Sequence, residues 1–397
     1  MLKFPIYMDN HATTPLDPRV LEAIMPYLTT KFGNPASRHH VFGWEAEQGV
    51  EKARAQIARL LNAQPKEILF TSGTTESINF SLLGIVEKYR DRGDHIVTSV
   101  IEHKATLDTC KYLETKGVRV TYLPVDSEGK VSPQAVKESV TDKTILVSIM
   151  AANNEIGTIA ELAEIGKITR ERGVFFHTDA AQAFGKISLD VEAMNLDLLS
   201  LSAHKAYGPK GIGALYVRGK NPAVKLTPLL RGGGHEGGLR SGTLNVPGIV
   251  GLGKAAEIAG QEMATESARI GALRDRLEKR IFESVEGTLL NGPRGPSRLY
   301  NNLNVSFPQV KAEALMMEMK EVAVSSGSAC ISSTGEPSFV LRAIGLSKEA
   351  AEESLRFGLG RFNTEEEVDY VAEKVIASVK KMRELSPHYR MIKEGLI

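Results

Sequence analysis

Apolar positions along the first two thirds of the chain fall into short runs that alternate with longer amphipathic stretches. The runs are Ile68-Leu69-Phe70, His95-Ile96-Val97-Thr98, Val118-Arg119-Val120-Thr121-Tyr122, Thr144-Ile145-Leu146-Val147-Ser148-Ile149, Val174-Phe175-Phe176 and Leu198-Leu199-Ser200-Leu201. They have the length and the β-branched and aromatic content of strands. Stretches 78–89, 105–113, 133–140 and 161–172 read as helices between them. This order predicts an α/β fold with a mostly parallel central sheet flanked by helices on both faces. Gly211-Ile212-Gly213-Ala214-Leu215-Tyr216-Val217 follows the preceding strand too closely for a crossover helix, so it is expected to run antiparallel.

Near residue 260 the texture changes. Residues 258–285 read as a long charged amphipathic helix, followed by short strands at 303–307 and 322–324 and then helices at 348–353 and 365–385. Strands followed by helices point to a smaller α+β domain. The expected division is a large domain over 16–260 and a small one made of 1–15 and 261–397, with a loop at about 325–338. The glycine-rich patch Arg231-Gly232-Gly233-Gly234-His235-Glu236-Gly237-Gly238 reads as a mobile loop rather than a linker.

Composition narrows the function classes. The 397 residues are enough for two cores. A net charge of +1 provides no field to steer nucleic acid or an anionic membrane surface. No apolar run has the length of a membrane span, and the N-terminal residues lack the pattern of a secretion or transit signal, so a cytoplasmic protein is expected. Cys110 and Cys330, the two cysteines, lack the spacing of a zinc site and fit a reducing compartment. Cys110 falls in a helix and reads as a small buried hydrophobe.

The chemistry sits at the ends of the strands. Lys205 lies in Ser202-Ala203-His204-Lys205, just past one apolar run, and Asp179 and Gln182 lie in His177-Thr178-Asp179-Ala180-Ala181-Gln182, past another. A lysine amine for an aldehyde and an acid for a ring nitrogen are the two protein groups that pyridoxal phosphate chemistry demands. Thr71-Ser72-Gly73-Thr74-Thr75-Glu76-Ser77 joins a strand to a helix and offers either an anion site or a simple capping box. Ser202 and His204 at another strand end favour a phosphate cup. His103 also follows a strand, where a ring can stack on a flat cofactor, and Asn154 in Asn153-Asn154-Glu155-Ile156-Gly157 is placed to bind cofactor or a substrate carboxylate. Arg356, in the strand-like run Ser354-Leu355-Arg356-Phe357-Gly358, suits bidentate capture of an α-carboxylate, while Arg361 reads as a surface salt-bridge residue. Cys330, in Ser325-Ser326-Gly327-Ser328-Ala329-Cys330, is a thiol in a stretch without periodicity. The glycines at 211–213 and 232–238 lack the strand–GxGxxG–helix context of a dinucleotide site.

From end to end the chain resembles cysteine desulfurases of the NifS/IscS type, within the fold-type I, class-V aminotransferase-like pyridoxal phosphate enzymes. The matching segments include Tyr7-Met8-Asp9-Asn10-His11-Ala12-Thr13-Thr14-Pro15, Phe32-Gly33-Asn34-Pro35-Ala36-Ser37, Arg240-Ser241-Gly242-Thr243, Glu336-Pro337-Ser338 and the motifs above. The resemblance implies pyridoxal 5'-phosphate as cofactor and conversion of L-cysteine to L-alanine, with a persulfide left on Cys330. It implies Cys330, Lys205 and His103 as catalytic residues. Lys205 would carry the cofactor covalently and His103 would stack on its ring. Asp179 and Gln182 would bind the ring nitrogen and ring oxygen. Thr74, Thr75, Ser202 and His204 would hold the phosphate, joined by Thr243 of a second subunit in a homodimer. Asn154 would touch cofactor and substrate, and Arg356 the substrate carboxylate. It implies no resident metal, with Cys330 as a transient ligand for an iron–sulfur cluster. The sulfur would pass to an iron–sulfur scaffold protein or another acceptor, for cluster assembly, other sulfur-containing cofactors or tRNA thiolation, with no direct nucleic acid or membrane contact. The alternative is a selenocysteine lyase or another fold-type I aminotransferase-like enzyme. Thr74 stands where the family commonly has alanine, and Gly335 where leucine is common.

Overall fold

The computed structural model describes residues 2–326, 337–386, 389 and 391. In chain order the elements begin with β1 (Ile6–Tyr7), α1 (Pro18–Thr29), α2 (Val41–Leu61), β2 (Ile68–Thr71), α3 (Thr74–Tyr89), β3 (His95–Ser99), α4 (Lys104–Glu114), β4 (Arg119–Leu123), α5 (Pro133–Ser139), β5 (Thr144–Ser148) and α6 (Leu162–Arg172). They continue with β6 (Phe175–Asp179), β7 (Leu198–Ser202), β8 (Gly213–Val217), α7 (Val246–Ser284), β9 (Leu289–Leu290), β10 (Asn302–Ser306) and α8 (Ala312–Glu318). The last are β11 (Val322–Ala323), α9 (Phe339–Ala343), α10 (Lys348–Glu352), β12 (Ser354–Gly358) and α11 (Glu365–Leu385).

The main sheet has seven strands in the order β2-β8-β7-β6-β5-β3-β4, and all are parallel except β8. Antiparallel β8 slots between β2 and β7, as its short connection requires. Every residue of β2, β3, β5, β6, β7 and β8 is buried, whereas β4 at the edge begins with an exposed Arg119. Burial on both faces explains why these strands read as nearly continuous apolar runs.

The strand from 174 to 176 proves longer than its apolar residues indicate: His177, Thr178 and Asp179 continue β6 rather than follow it. His177 is tolerated inside because its Nδ1 meets Ser148 Oγ at 2.8 Å and its Nε2 meets Ser200 Oγ at 2.9 Å, on the strands to either side. Burial pushes its pKa down to about 3, so a neutral ring joins three strands.

The long helix is also longer than expected. α7 starts at Val246 and spans 39 residues, about 58 Å at 1.5 Å per residue. Its first half packs on α1 and α2 beside the main sheet. In its second half Ile270, Leu273, Leu277 and Ile281, at helical spacing, enter a second core shared with β10, β12 and α11. The small sheet is antiparallel, in the order β12-β10-β9, with β1 and β11 paired separately. Strands and helices therefore alternate in the C-terminal part, and β12 falls between two helices expected to close the chain. No helix among the described residues is long and apolar enough to cross a membrane.

Candidate active site

The carboxyl ends of the parallel strands β2, β3, β5, β6 and β7 point to one side of the sheet, where ligands of open α/β sheets gather. A cavity of about 530 Å³ lies there, lined by residues that include Thr74, Thr75, His103, Asn154, Asp179, Gln182, Ser202, His204, Lys205 and Arg356. Residues far apart in sequence converge because all but Arg356, which projects from within β12, follow or end a strand of the main sheet.

One wall is an open helix start. β2 leads through Gly73 directly into α3, so Thr74 and Thr75 form the first helical turn and the helix begins earlier than the expected residue 78. Gly73 has φ 153° and ψ 178°, a conformation reserved for glycine. It makes no side-chain cap. The capping-box alternative is absent: Glu76 turns aside to accept from Ser72 N at 2.7 Å and from Arg240. Thr74 Oγ1 is buried without a hydrogen-bond partner among the described residues. Uncapped N–H groups, an orphaned hydroxyl, Ser202 and His204 together make an anion cup. Burial, and then Lys205 and Lys210, push the His204 pKa down to about 4. Its Nδ1 lies 3.1 Å from Thr13 Oγ1.

Asp179 closes β6 and also lines the cavity. Burial raises its pKa, against the pull of His103, the Ala181 N–H and Lys205. Lys205 projects from the short turn after β7, and its Nζ donates to the carbonyls of His11 at 2.5 Å and Ala12 at 2.7 Å. His103 caps α4, its Nδ1 accepting from Ala105 N at 3.1 Å.

Arg356 comes from β12 in the small sheet and is 1% exposed. It donates to Asp9 Oδ1 at 2.8 Å and to the Asn154 carbonyl at 2.9 Å, while its buried Nε has no partner among the described residues. Arg361 is an ion-pair residue as expected, but not a fully exposed one: its largely covered side chain packs against Asp17, Glu266 and the Tyr207 ring. The glycine-rich patch has one firm anchor, because Glu236 accepts from Arg54 and from Phe70 N on β2. Thr243 is exposed and does not line the cavity of its own chain. Cys330 lies outside the described residues. Among the described residues no group of three or more His, Cys, Asp or Glu is arranged to hold a metal ion.

Four buried or half-buried polar groups near the cavity escape the sequence reading. Asp9 pairs with Arg356, and His11 holds Gln182. Lys186 donates to the carbonyls of Gln182 and Lys205 at 3.1 and 3.0 Å, with its pKa pushed down to about 7 by burial and by Lys205. Glu102, beside His103, accepts from Ser99 Oγ and Met150 N through one oxygen, while the other is buried without a partner. The only local signal for the first two is the segment Asp9-Asn10-His11, whose partners lie 171 residues or more away.

Burial raises the Glu102 pKa to about 8, so the folded protein keeps this acid protonated at neutral pH. An unfolded chain releases that proton near about pH 4.3, so wild-type stability falls as pH rises between the two values and levels off above the higher. Glu102→Gln mimics the protonated acid and removes this loss. Its stability relative to wild type is expected to rise between pH 5 and 8, by on the order of 3 kcal/mol, in denaturant titrations at the two pH values. An unchanged difference would show that Glu102 is ionised in the fold.

The cavity's donor set fits pyridoxal phosphate: an anion cup with an orphaned hydroxyl, a buried acid suited to the pyridine nitrogen, and an amine lining the same cavity.

Comparison with known proteins agrees. The chain is 54% identical to the cysteine desulfurase IscS of Rickettsia akari over 395 residues, covering 100% of this chain and 96% of the relative. It is 56% identical to the cysteine desulfurase IscS of Anaeromyxobacter dehalogenans over 395 residues, covering 100% and 97%. Among solved structures, a NifS-like protein superposes with a TM-score of 0.87 at 41% identity, covering 94% of this chain and 99% of that one. SspA in complex with cysteine superposes with a TM-score of 0.80 at 40% identity, covering 90% and 100%. The aminotransferase class-V family profile matches residues 6–371, and with the fold and donor set this establishes that the chain belongs to the class-V aminotransferase family of pyridoxal phosphate-dependent enzymes.

Proposed function

We propose that this protein is a cysteine desulfurase, which takes sulfur from L-cysteine, releases L-alanine and carries the sulfur as a persulfide on Cys330. The observation that carries this reading is that one cavity joins an amine (Lys205), a buried acid (Asp179) and a buried guanidinium with an unpartnered Nε (Arg356). Full-length similarity to proteins named cysteine desulfurase, and to one solved with cysteine, supports it.

Bound pyridoxal phosphate supplies an electron sink that makes the Cα proton removable and the Cβ–S bond breakable. The chain's own groups do the rest. Lys205 would hold the cofactor and would serve as the base for the Cα proton. Asp179 would bind the pyridine nitrogen, Gln182 the ring oxygen, and His103 would stack on the ring. Thr74, Thr75, Ser202 and His204 would take the phosphate. Arg356 and Asn154 hold the α-carboxylate. The Cys330 thiolate then attacks the substrate sulfur: an S–S bond forms, the Cβ–S bond breaks with its electron pair going to carbon, and protonation there yields alanine.

Other features belong to the same reading. The exposure of Thr243, away from its own chain's cavity, supports its reaching the phosphate of a second copy in a homodimer. A buried Cys110 that stays a free thiol supports a reducing compartment, the cytoplasm. The two cores, one around the main sheet and one around β10 and β12, support a large domain at 16–260 and a small one from 1–15 and 261–397. The persulfide passes to an iron–sulfur scaffold protein or another acceptor.

Purified protein loaded with pyridoxal phosphate is expected to absorb at about 400 nm and, with L-cysteine and a reductant, to yield alanine and sulfide in equal amounts. Formation of 3-mercaptopyruvate, the keto acid that keeps the sulfur, would favour aminotransfer, and preference for selenocysteine in direct competition would favour the lyase reading. Arg356→Lys is expected to raise KM for cysteine about tenfold to a hundredfold with a smaller change in kcat, the loss of one charge-assisted hydrogen bond. Steady-state kinetics check this, and an unchanged KM would remove Arg356 from the carboxylate site.

A further inference from the structure

A chain of polar groups that runs into the cavity wall at His11 and Gln182 has its hydrogen-bond polarity fixed at both ends. At one end Arg298, which only donates, gives NH1 to Asn302 Oδ1 at 3.0 Å. That leaves the Asn302 amide nitrogen with two hydrogens. One goes to the Glu155 carbonyl at 3.0 Å and the other to His11 Nε2 at 3.2 Å. His11 Nε2 must therefore accept. Burial, and then Arg356, Lys186 and Lys205, hold the His11 ring well below the usual imidazole range, so it carries a single proton. That proton sits on Nδ1, 2.9 Å from Gln182 Oε1. At the far end Gln182 Nε2 donates one hydrogen to the His11 carbonyl at 2.9 Å. Turning this amide over would set its carbonyl against the His11 carbonyl and its NH₂ against the Nδ1–H, so the orientation is fixed.

We propose that His11 is a positioning residue: its Nδ1–H engages the carbonyl of the Gln182 amide, so that the amide's second N–H is the group presented to the cavity. Gln182 lines that cavity, and the ligand oxygen it would meet there is the ring oxygen of pyridoxal phosphate, which carries negative charge in its phenolate form. A donor stabilises that charge and a carbonyl opposes it. His11 thus acts on the cofactor through Gln182. The same His11 carbonyl receives Lys205 Nζ, so one residue aligns both the amide and the amine. The inference rests on the cofactor reading of the cavity.

Two measurements test it. In wild-type full-length protein, ¹⁵N-detected NMR of the histidine rings is expected to show His11 protonated on Nδ1 and bare on Nε2. The opposite tautomer overturns the proposal, whether or not cofactor binds. In a double-mutant cycle, cofactor-free full-length variants are titrated with pyridoxal phosphate. His11→Leu is expected to weaken binding about tenfold and to shift the absorbance maximum, whereas His11→Asn, which keeps an N–H in place of Nδ1, stays within about threefold of wild type. In a Gln182→Ala background His11→Leu is expected to change affinity less than about twofold. A full His11→Leu effect in that background, including one caused by misfolding, overturns the proposal. Failure of the wild type to bind pyridoxal phosphate would instead end the cofactor reading.

Discussion

Lys205→Ala protein is expected to bind pyridoxal phosphate and yet to form alanine from cysteine at a rate lower by about 10³-fold or more. The size follows from losing a positioned general base, which contributes about 10²- to 10⁴-fold, together with the covalent tether. The rest of the cavity does not depend on this amine. The anion cup is built on the start of α3 and the end of β7, and Asp179 is held by the Ala181 N–H at 2.9 Å. The cofactor should therefore be retained without being tethered. Lys205→Arg should not restore the rate, because a guanidinium remains protonated and cannot serve as the base. Nor can it adopt the compact placement of an amine between the His11 and Ala12 carbonyls. Borohydride treatment distinguishes tether from simple binding: it should fix the cofactor's mass to the wild-type chain and leave Lys205→Ala unlabelled. Alanine formation in Lys205→Ala within tenfold of wild type would remove Lys205 from the chemistry.

Much of this site could be read from the sequence because in a parallel sheet the chemistry follows the strands. Lys205, Asp179, His103 and Asn154 each stand at or just beyond a buried strand, and such strands are visible as apolar runs. What stayed hidden has specific physical causes. β6 looked short because its last residues are polar, and only the flanking Ser148 and Ser200 make His177 acceptable inside the sheet. The first half of α7 does not look helical because it is rich in glycine and small residues. It is buried on several sides at once, and a Cβ at Gly253 would come within 2.5 Å of Ala53 on α2. Arg361 showed its pairing but not its burial, since a charged side chain reads as exposed until its two carboxylate partners are known. Asp9 and His11 belong to a segment with no periodicity, and tertiary contacts alone give them meaning.

The N-terminal segment also explains why the small sheet contributes to a cavity built on the large one. Asp9 bridges to Gly358 and accepts from Arg356, so the β12 guanidinium is held over strand ends that belong to another core. A buried charge without a partner costs several kcal/mol, and Asp9 offsets that cost before substrate arrives. With its Nε still unpartnered, Arg356 keeps a donor for an incoming carboxylate.

Cys330→Ser protein is expected to keep the cofactor absorbance and its shift on adding cysteine, and to lose persulfide formation altogether, with alanine output down by about 10²-fold or more. A hydroxyl at this position is far less nucleophilic than a thiolate and forms no stable bond that would carry sulfur away. Although Cys330 lies outside the described residues, its described flanks contact Arg356, which lines the cavity, and Glu155, next to the cavity-lining Asn154. Ser325 exchanges backbone hydrogen bonds with Arg356, at 2.7 and 3.3 Å, and Ser338 donates to the Glu155 carboxylate beside Asn154. Five residues of chain span at most about 17 Å, so chain length alone permits a residue at 330 to approach a substrate held by Arg356. Aminotransfer needs no thiol, so an aminotransferase would lose nothing in Cys330→Ser. Mass spectrometry after one turnover with cysteine should show one added sulfur on wild type and none on the variant. Equal sulfur loading on both would move the acceptor away from Cys330, and unchanged alanine output would mean that Cβ–S cleavage proceeds without it.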